Sequence, residues 1–138
     1  MKWLYLTLIF SLLFIVVNAQ KKAIAVTPKN DQIINDPNSV EEKPSFPGGK
    51  KAFYKFLGKN LKWPLDDETY VQGRVLISFV VESDGRLTNF KVEKKLWPEL
   101  DSEALRVLKK SPKWIPGKQN GKLVRVRYTV PINFTITD

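Results

Sequence analysis

The sequence predicts a single small α+β domain. Two segments carry apolar residues at the spacing of an amphipathic helix, and three segments alternate apolar and polar residues as half-buried strands do. An Asp-Gly pair between two of the alternating segments is typical of a tight hairpin turn. Once residues 1–19 are set aside, the rest of the 138-residue chain can bury one core but is too short for two ordinary domains.

Residues 1–19 have the pattern of a secretory signal peptide. Lys2 precedes the uncharged run Trp3–Val17, and Val17-Asn18-Ala19 supplies compact residues for cleavage after Ala19. An inner-membrane anchor formed by residues 3–17 is the alternative. A helix of that length reaches about 22 Å, whereas the hydrocarbon core of a membrane is about 30 Å thick. We therefore expect export, with the cleaved protein in the periplasm.

Residues 20–43 predict a flexible tether between the signal peptide and the domain. The segment is polar, contains Asp36-Pro37-Asn38, and has neither helical nor strand periodicity. Fully stretched, a chain of this length reaches about 85 Å. The folded domain is accordingly expected to occupy residues 44–138.

The first helix is predicted to follow Phe46-Pro47-Gly48-Gly49 and to end at Trp63-Pro64. Its apolar residues fall on one side, and lysines 50, 51, 55 and 59 fall on the other. The second helix is predicted from Asp101 to Lys110, with Asp101 as its N-cap residue and Pro112 beyond its end.

Two of the predicted strands form a hairpin. Gly73–Glu82 alternates, Ser83-Asp84-Gly85 makes the turn, and Arg86–Glu93 returns. The apolar residues of the return strand change parity once, which predicts a bulge near Thr88-Asn89.

The third strand, Leu123–Ile136, follows a predicted loop over Lys113–Lys122. Its even-numbered residues are apolar and its odd-numbered residues are mostly polar, so one face is expected in the core. Pro131 has no N–H group to donate, which favours a position at a sheet edge. Such an edge can accept a partner strand, or its arginines and proline can simply protect it from aggregation.

The residue types present exclude most enzyme chemistry. The chain has no His and no Cys, so it cannot form Ser–His–Asp or Cys–His sites or thiolate metal centres. Its acidic pairs fall in predicted loops or at helix starts, and no nucleotide-binding motif is found. We expect no catalysis, cofactor or metal. For an exported chain, the net charge of +9 favours cell-wall polymers, lipid headgroups or acidic peptides over nucleic acid as partners.

Five groups of residues follow one another in a characteristic order. They are Pro47-Gly48-Gly49 with Phe56-Leu57 and 60–64; 72–75 with 79–81 and Asp84-Gly85; 100–106; 114–117 with 120–122; and 130–134. Taken in this order, they resemble the TonB C-terminal domain in its Bacteroidetes-type form. The resemblance covers about residues 44–137. Each piece alone is weak, but their joint order is specific.

This resemblance implies two helices packed on one face of a three-stranded antiparallel sheet. It also implies that the last strand pairs with a short segment of an outer-membrane TonB-dependent transporter, or of another exported protein, in energy-coupled transport. The expected contacts are the strand backbone with the side chains of its outward residues, and a loop before the first strand is a weaker candidate. The partner-binding residues are Val124, Arg125, Val126, Arg127, Tyr128, Thr129, Val130, Asn133 and Thr135, with Asp67 and Glu68 in the loop.

The sequence also departs from family members that transmit force. Those proteins carry a full membrane anchor, typically with a functional His, and a long Pro-rich spacer, whereas the apolar segment here is short and has no His. The alternative function is therefore a periplasmic structural adaptor that binds cell wall or self-associates, for example as a homodimer through the last strand.

Overall fold

The computed structural model describes residues 31–63 and 71–135. The predicted signal peptide and the tether residues 20–30 lie outside these ranges. In the described part, no helix is long and apolar enough to cross a membrane. The elements are β1 (Ile33–Ile34), a short 3-10 helix (Pro37–Ser39), α1 (Gly49–Asn60), β2 (Gly73–Val81), β3 (Leu87–Lys94), α2 (Pro98–Lys109), β4 (Gly117–Gln119) and β5 (Lys122–Phe134).

The sheet contains the three predicted antiparallel strands and two short additional ones. Its order is β1-β5-β2-β3, and β4 also pairs with β5. β2 is antiparallel to both β3 and β5, whereas β1 is parallel to β5. The sequence predicted three strands and missed β1 and β4, which span only two and three residues. Segments that short show no periodicity in a sequence.

β4 lies inside the segment predicted as a loop. It forms a hairpin with the start of β5, in which Gln119 pairs with Lys122 across Asn120-Gly121. The two turn residues have φ of 51° and 71°. Asn and Gly tolerate positive φ, which is what a two-residue hairpin turn needs. Asn120-Gly121 therefore forms the turn of a hairpin within residues 113–122, and the prediction of a loop over this whole segment is wrong.

The bulge predicted near Thr88-Asn89 is confirmed. The register between β2 and β3 shifts between Ser78 and Val80, and Asn89 has a φ of 51°. A second shift lies between Leu76 and Ile77. These bulges increase the local twist of β3 at the edge of the sheet.

Both helices contribute to one core against the sheet. α1 buries Phe53 and Leu57, as its periodicity predicted, and its four lysines are exposed. α2 begins at Pro98 rather than at Asp101, because proline's fixed φ suits the first helical position. Asp101 instead accepts a hydrogen bond at 2.9 Å from the N–H of Leu96.

Residues 31–43 are folded against the sheet, so the expectation of a flexible tether is wrong for this part of it. β1 pairs with β5, and Val40 is buried. The backbones of Glu42 and Lys118 exchange hydrogen bonds of 3.2 and 2.9 Å. These contacts join residues far apart in the chain, which periodicity within the segment cannot reveal.

Trp114 lies at the junction between the helices and the sheet. Its ring contacts Phe53 of α1 and Phe79 of β2 at centroid distances of 5.5 and 5.2 Å. The indole N–H donates to Ser111 Oγ at 3.0 Å, so the polar atom is satisfied although the residue is buried.

Candidate functional site

The first residues of β5 pair with the two short strands. β4 pairs with Lys122–Val124, and β1 pairs with Arg125 and Val126. The expectation of a free backbone edge from Val124 onward is therefore wrong for Val124, Arg125 and Val126. This expectation fails for the same reason as the flexible tether: segments far apart in the chain pair with one another on the sheet.

The hydrogen bonds of the β2–β3 hairpin show to which side each backbone group of β5 points. The N–H of Glu82 donates to the carbonyl of Arg86 at 2.9 Å, so Glu82 points toward β3. Successive residues of a strand direct their backbone groups to opposite sides, and Val81 therefore points toward β5, where it pairs with Val126. The pairing continues without a shift to Phe134. Even-numbered residues from Val126 to Phe134 thus bond to β2.

The odd-numbered residues direct their backbone groups away from β2. Past Val126 this side has no strand partner in residues 31–63 and 71–135. The N–H of Arg127 is still used by β1, because Val126 faces β2 and its parallel pairing with Ile34 runs through the flanking residues. The free backbone groups are therefore the carbonyl of Arg127 and those of Thr129, Pro131 and Asn133, and we call the stretch from Arg127 to Asn133 the open edge. The placement of Pro131 agrees with the register, since proline has no N–H to give to β2.

Arg125 is held inside the domain. Its Nε lies 2.6 Å from Oε2 of Glu82, and its Nη2 donates to Oε1 at 3.1 Å. The hydrogen bond from Arg125 is the main cause that lowers the pKa of Glu82, with Thr88 adding to it, and the same contact raises the pKa of Arg125. Because its guanidinium is already bonded, Arg125 stabilises the pairing of β5 with β2 and is poorly placed to meet a partner.

The other predicted contact side chains differ in exposure. Thr129, Asn133 and Thr135 are exposed, and Arg127 is half-buried, with its Nε 3.3 Å from Oδ1 of Asn35. Val130 is buried in the core, so only its backbone flanks the open edge. Tyr128 is half-buried and Val124 likewise. Asp67 and Glu68 lie outside the described residues.

A protein-family comparison bears on this strand. The model of the family described as the Gram-negative bacterial TonB protein C-terminal matches residues 67–136, half of the chain. The chain belongs to this family. The match includes β2, β3, α2, β4 and β5. The resemblance expected from the sequence is thereby confirmed at the level of the family.

Solved structures similar to this TonB C-terminal domain include the NMR solution structure of the Helicobacter pylori TonB C-terminal domain, residues 179–285, at 22% sequence identity and a TM-score of 0.47. The alignment covers 67% of this chain and 88% of that one. No curated protein matches the chain.

Beside the open edge this TonB C-terminal domain has a groove that the sequence did not predict. The edge groove has a volume of about 390 Å³ and lies between the N-terminal half of α1, the segment before it, and residues 128–131 of β5. Its lining includes Lys50, one of the four lysines on the polar side of α1, and Tyr54, for which the sequence predicted no role. The one feature of the sequence that could have indicated the groove is Tyr54, a large aromatic residue among the lysines of α1.

Glu103, in the first half of α2, has a structural role in this TonB C-terminal domain. Its carboxylate accepts from Arg106 Nε at 2.7 Å and from the N–H of Lys62 at 2.8 Å. The pKa of Glu103 is lowered, chiefly by the hydrogen bond from Arg106. The carboxylate therefore ties α2 to the chain that follows α1. Within the described residues, no three His, Cys, Asp or Glu side chains are grouped to hold a metal ion.

Proposed function

We propose that this protein binds an outer-membrane TonB-dependent transporter, or another exported protein, by adding a partner strand to the open edge of β5. The observation that carries the proposal is the outward direction of the Thr129 and Asn133 backbone groups with no strand beyond them in residues 31–63 and 71–135. Unpaired edge groups form main-chain hydrogen bonds readily with an extended peptide. Membership of the TonB C-terminal family, a family of non-enzymatic interaction domains, supports an interaction role in energy-coupled transport.

The covered first part of β5 limits where the partner lies. A strand added beyond Val126 meets the backbone of Arg127 to Asn133 without displacing β1, and it extends the sheet on the side away from β2. At about 3.3 Å per residue, this stretch matches an extended peptide of roughly six to eight residues. The proposed contacts are thus main-chain groups of the odd-numbered residues, with Thr129 and Asn133 contributing exposed side chains.

Replacement of Thr129 tests the proposal. Thr129→Pro removes an outward N–H and leaves the ladder to β2 intact, so the fold should survive with a modest loss of stability. Binding of a transporter-derived peptide should fall about tenfold or more, which is about 1.4 kcal/mol. Thr129→Val is the matched control, because it removes the hydroxyl but keeps the N–H, and it should bind nearly as the unchanged protein does. Equal affinities of Thr129→Pro and Thr129→Val would overturn strand addition at this site.

The second candidate function is a structural adaptor that binds cell wall or self-associates in the periplasm. It is favoured by the net charge of +9 and by the exposed lysines of α1. Exposed charges act through solvent, so binding to an anionic polymer should weaken steeply as salt is raised, whereas strand addition should persist. A homodimer through the open edge would instead make the apparent mass depend on concentration, and Thr129→Pro should abolish that dependence.

A further inference from the structure

The edge groove lies where the side chains of an added strand would point. Tyr128 and Val130 form one wall of it, and these are the residues of β5 that face the helices. Successive side chains of a strand point to opposite faces, so every second residue of a strand on the open edge faces the helix side and lies over the groove. The groove spans four residues of β5, roughly 10 Å along the strand, which admits one or two such side chains.

The floor of the edge groove is aromatic and rigid. Phe46, Phe53 and Trp114 are only 7%, 5% and 5% exposed, and each belongs to the core. Phe46 and Trp114 pack edge to face with centroids 5.9 Å apart. Because core packing already fixes these rings, an apolar side chain that enters the groove needs little rearrangement of the protein.

The rim of the edge groove carries an exposed aromatic ring and one positive charge. Tyr54 is 49% exposed although it lies beside Phe53, at a centroid distance of 6.1 Å. Lys50, one turn earlier on α1, is the only charged residue among the described residues of the lining. The rim thus offers apolar contact together with a positive charge, which favours a carboxylate on the occupant.

We propose that the edge groove is a side-chain subsite for extended peptides that carry a bulky aliphatic or aromatic residue and, two positions away on the same face of the strand, a carboxylate. The apolar side chain packs on Phe46, Phe53 and Trp114 under Tyr54, and the carboxylate meets Lys50. This inference rests on the proposed strand addition and deepens it. The open edge holds the peptide backbone, and the groove selects among sequences.

Synthetic peptides test the subsite on the full chain. Three octapeptides of alternating Val and Thr are titrated by calorimetry. They differ only at the fourth and sixth positions, whose side chains share one face of the strand, and these positions carry Leu and Glu, Ala and Glu, or Leu and Lys. Exchanging Leu for Ala should weaken binding about tenfold, since it removes apolar area from the groove. Exchanging Glu for Lys should weaken binding about threefold at low salt and less at high salt, as expected of an exposed charge pair.

Matched variants locate the effect in the groove. Lys50→Glu should reverse the preference between Glu and Lys peptides, whereas Lys51→Glu makes the same charge change on the exposed face of α1 outside the lining and should keep the preference. Tyr54→Ala should reduce the discrimination between Leu and Ala, whereas Trp97→Ala, at a residue 45% exposed elsewhere on the surface, should not.

The outcomes separate the subsite from the strand addition on which it rests. If Thr129→Pro weakens all three peptides while Leu and Ala peptides bind alike, strand addition stands and the subsite is overturned. If Lys50→Glu and Lys51→Glu behave identically, the assignment of Lys50 is overturned. If no peptide binds, or if Thr129→Pro leaves every affinity unchanged, both proposals fail.

Discussion

Arg125 of β5 and Glu82 at the end of β2 form an ion pair that closes the sheet, with Arg125 Nε 2.6 Å from Glu82 Oε2. Their side chains are only 19% and 14% exposed. The pair follows directly beyond the last paired residues of the two strands, Val81 and Val126. It fixes the part of β5 that β1 and β4 also cover, and so separates a structural first half of the strand from the open edge.

This ion pair gives the stability of the domain a dependence on pH. The folded-state pKa of Glu82 lies below its ordinary 4.5, chiefly because Arg125 donates to it. Glu82 therefore contributes stability above pH 4.5, and that contribution is lost as the pH falls through the lower folded-state pKa. In urea titrations, Glu82→Gln should be less stable than the unchanged protein at about pH 7, and the gap should narrow below about pH 4.

Glu41→Gln is the control for this pH dependence. Glu41 is exposed and makes no ion pair among the described residues, and its replacement removes the same charge. Its stability should stay close to that of the unchanged protein at both pH values. A gap for Glu82→Gln that stays constant with pH would show that the carboxylate charge does not stabilise the fold.

Trp114→Ala should destabilise the domain by about 3–5 kcal/mol, because it opens a cavity among core aromatic rings. The ring contacts Phe46, Phe53, Phe79 and Tyr128, with centroid distances between 5.2 and 5.9 Å. Denaturant titration measures the change. Trp97→Ala removes the same side chain at an exposed position and should cost less than about 1 kcal/mol. A similarly small loss for Trp114→Ala would contradict its place in the core.

Gly85→Ala should destabilise the domain by about 3 kcal/mol or more, since an added Cβ combines a clash with a strained backbone. Gly85 has a φ of 87°, and its Cβ would lie 2.2 Å from the carbonyl oxygen of Trp114. Gly58→Ala is the matched control within α1, where a Cβ meets nothing within 4 Å. That change should stabilise the protein by about 0.5–1 kcal/mol. Thermal unfolding should show a lower melting temperature for Gly85→Ala and a higher one for Gly58→Ala than for the unchanged protein.

Amide hydrogen exchange along β5 beyond Arg127 should be slow at even-numbered residues and fast at odd-numbered ones. Tyr128, Val130 and Ile132 direct their N–H groups to β2 and should exchange slowly, whereas Thr129 and Asn133 point outward and should exchange fast. A bound peptide should protect the latter two. Protection of Thr129 and Asn133 in the dilute protein without peptide would mean that the open edge is already covered.

Export should remove residues 1–19, and the intact mass of the secreted protein measures this directly. The expected product begins at Gln20. A mass that retains Met1 to Ala19 would instead favour an inner-membrane anchor and strengthen the energy-transducing role over the adaptor.

The local pattern of the chain determined much of the fold. Even-numbered apolar residues of β5 predicted its buried face, and Val126, Val130, Ile132 and Phe134 are indeed buried. The parity change around Asn89 predicted the bulge. These features depend on neighbours a few residues apart, where strand and helix periodicity decides which side chains can be buried together.

Only the tertiary structure decided which part of β5 remains open and what lies beside it. Ile33 pairs with Arg125, and Glu82 reaches the same arginine from 43 residues away. The edge groove likewise brings together three stretches of sequence around Trp114. The periodicity of one segment cannot predict these contacts, because they depend on how separate segments pack on the same sheet. The sequence thus determined the strand and its faces, and packing between distant segments determined where a partner can bind.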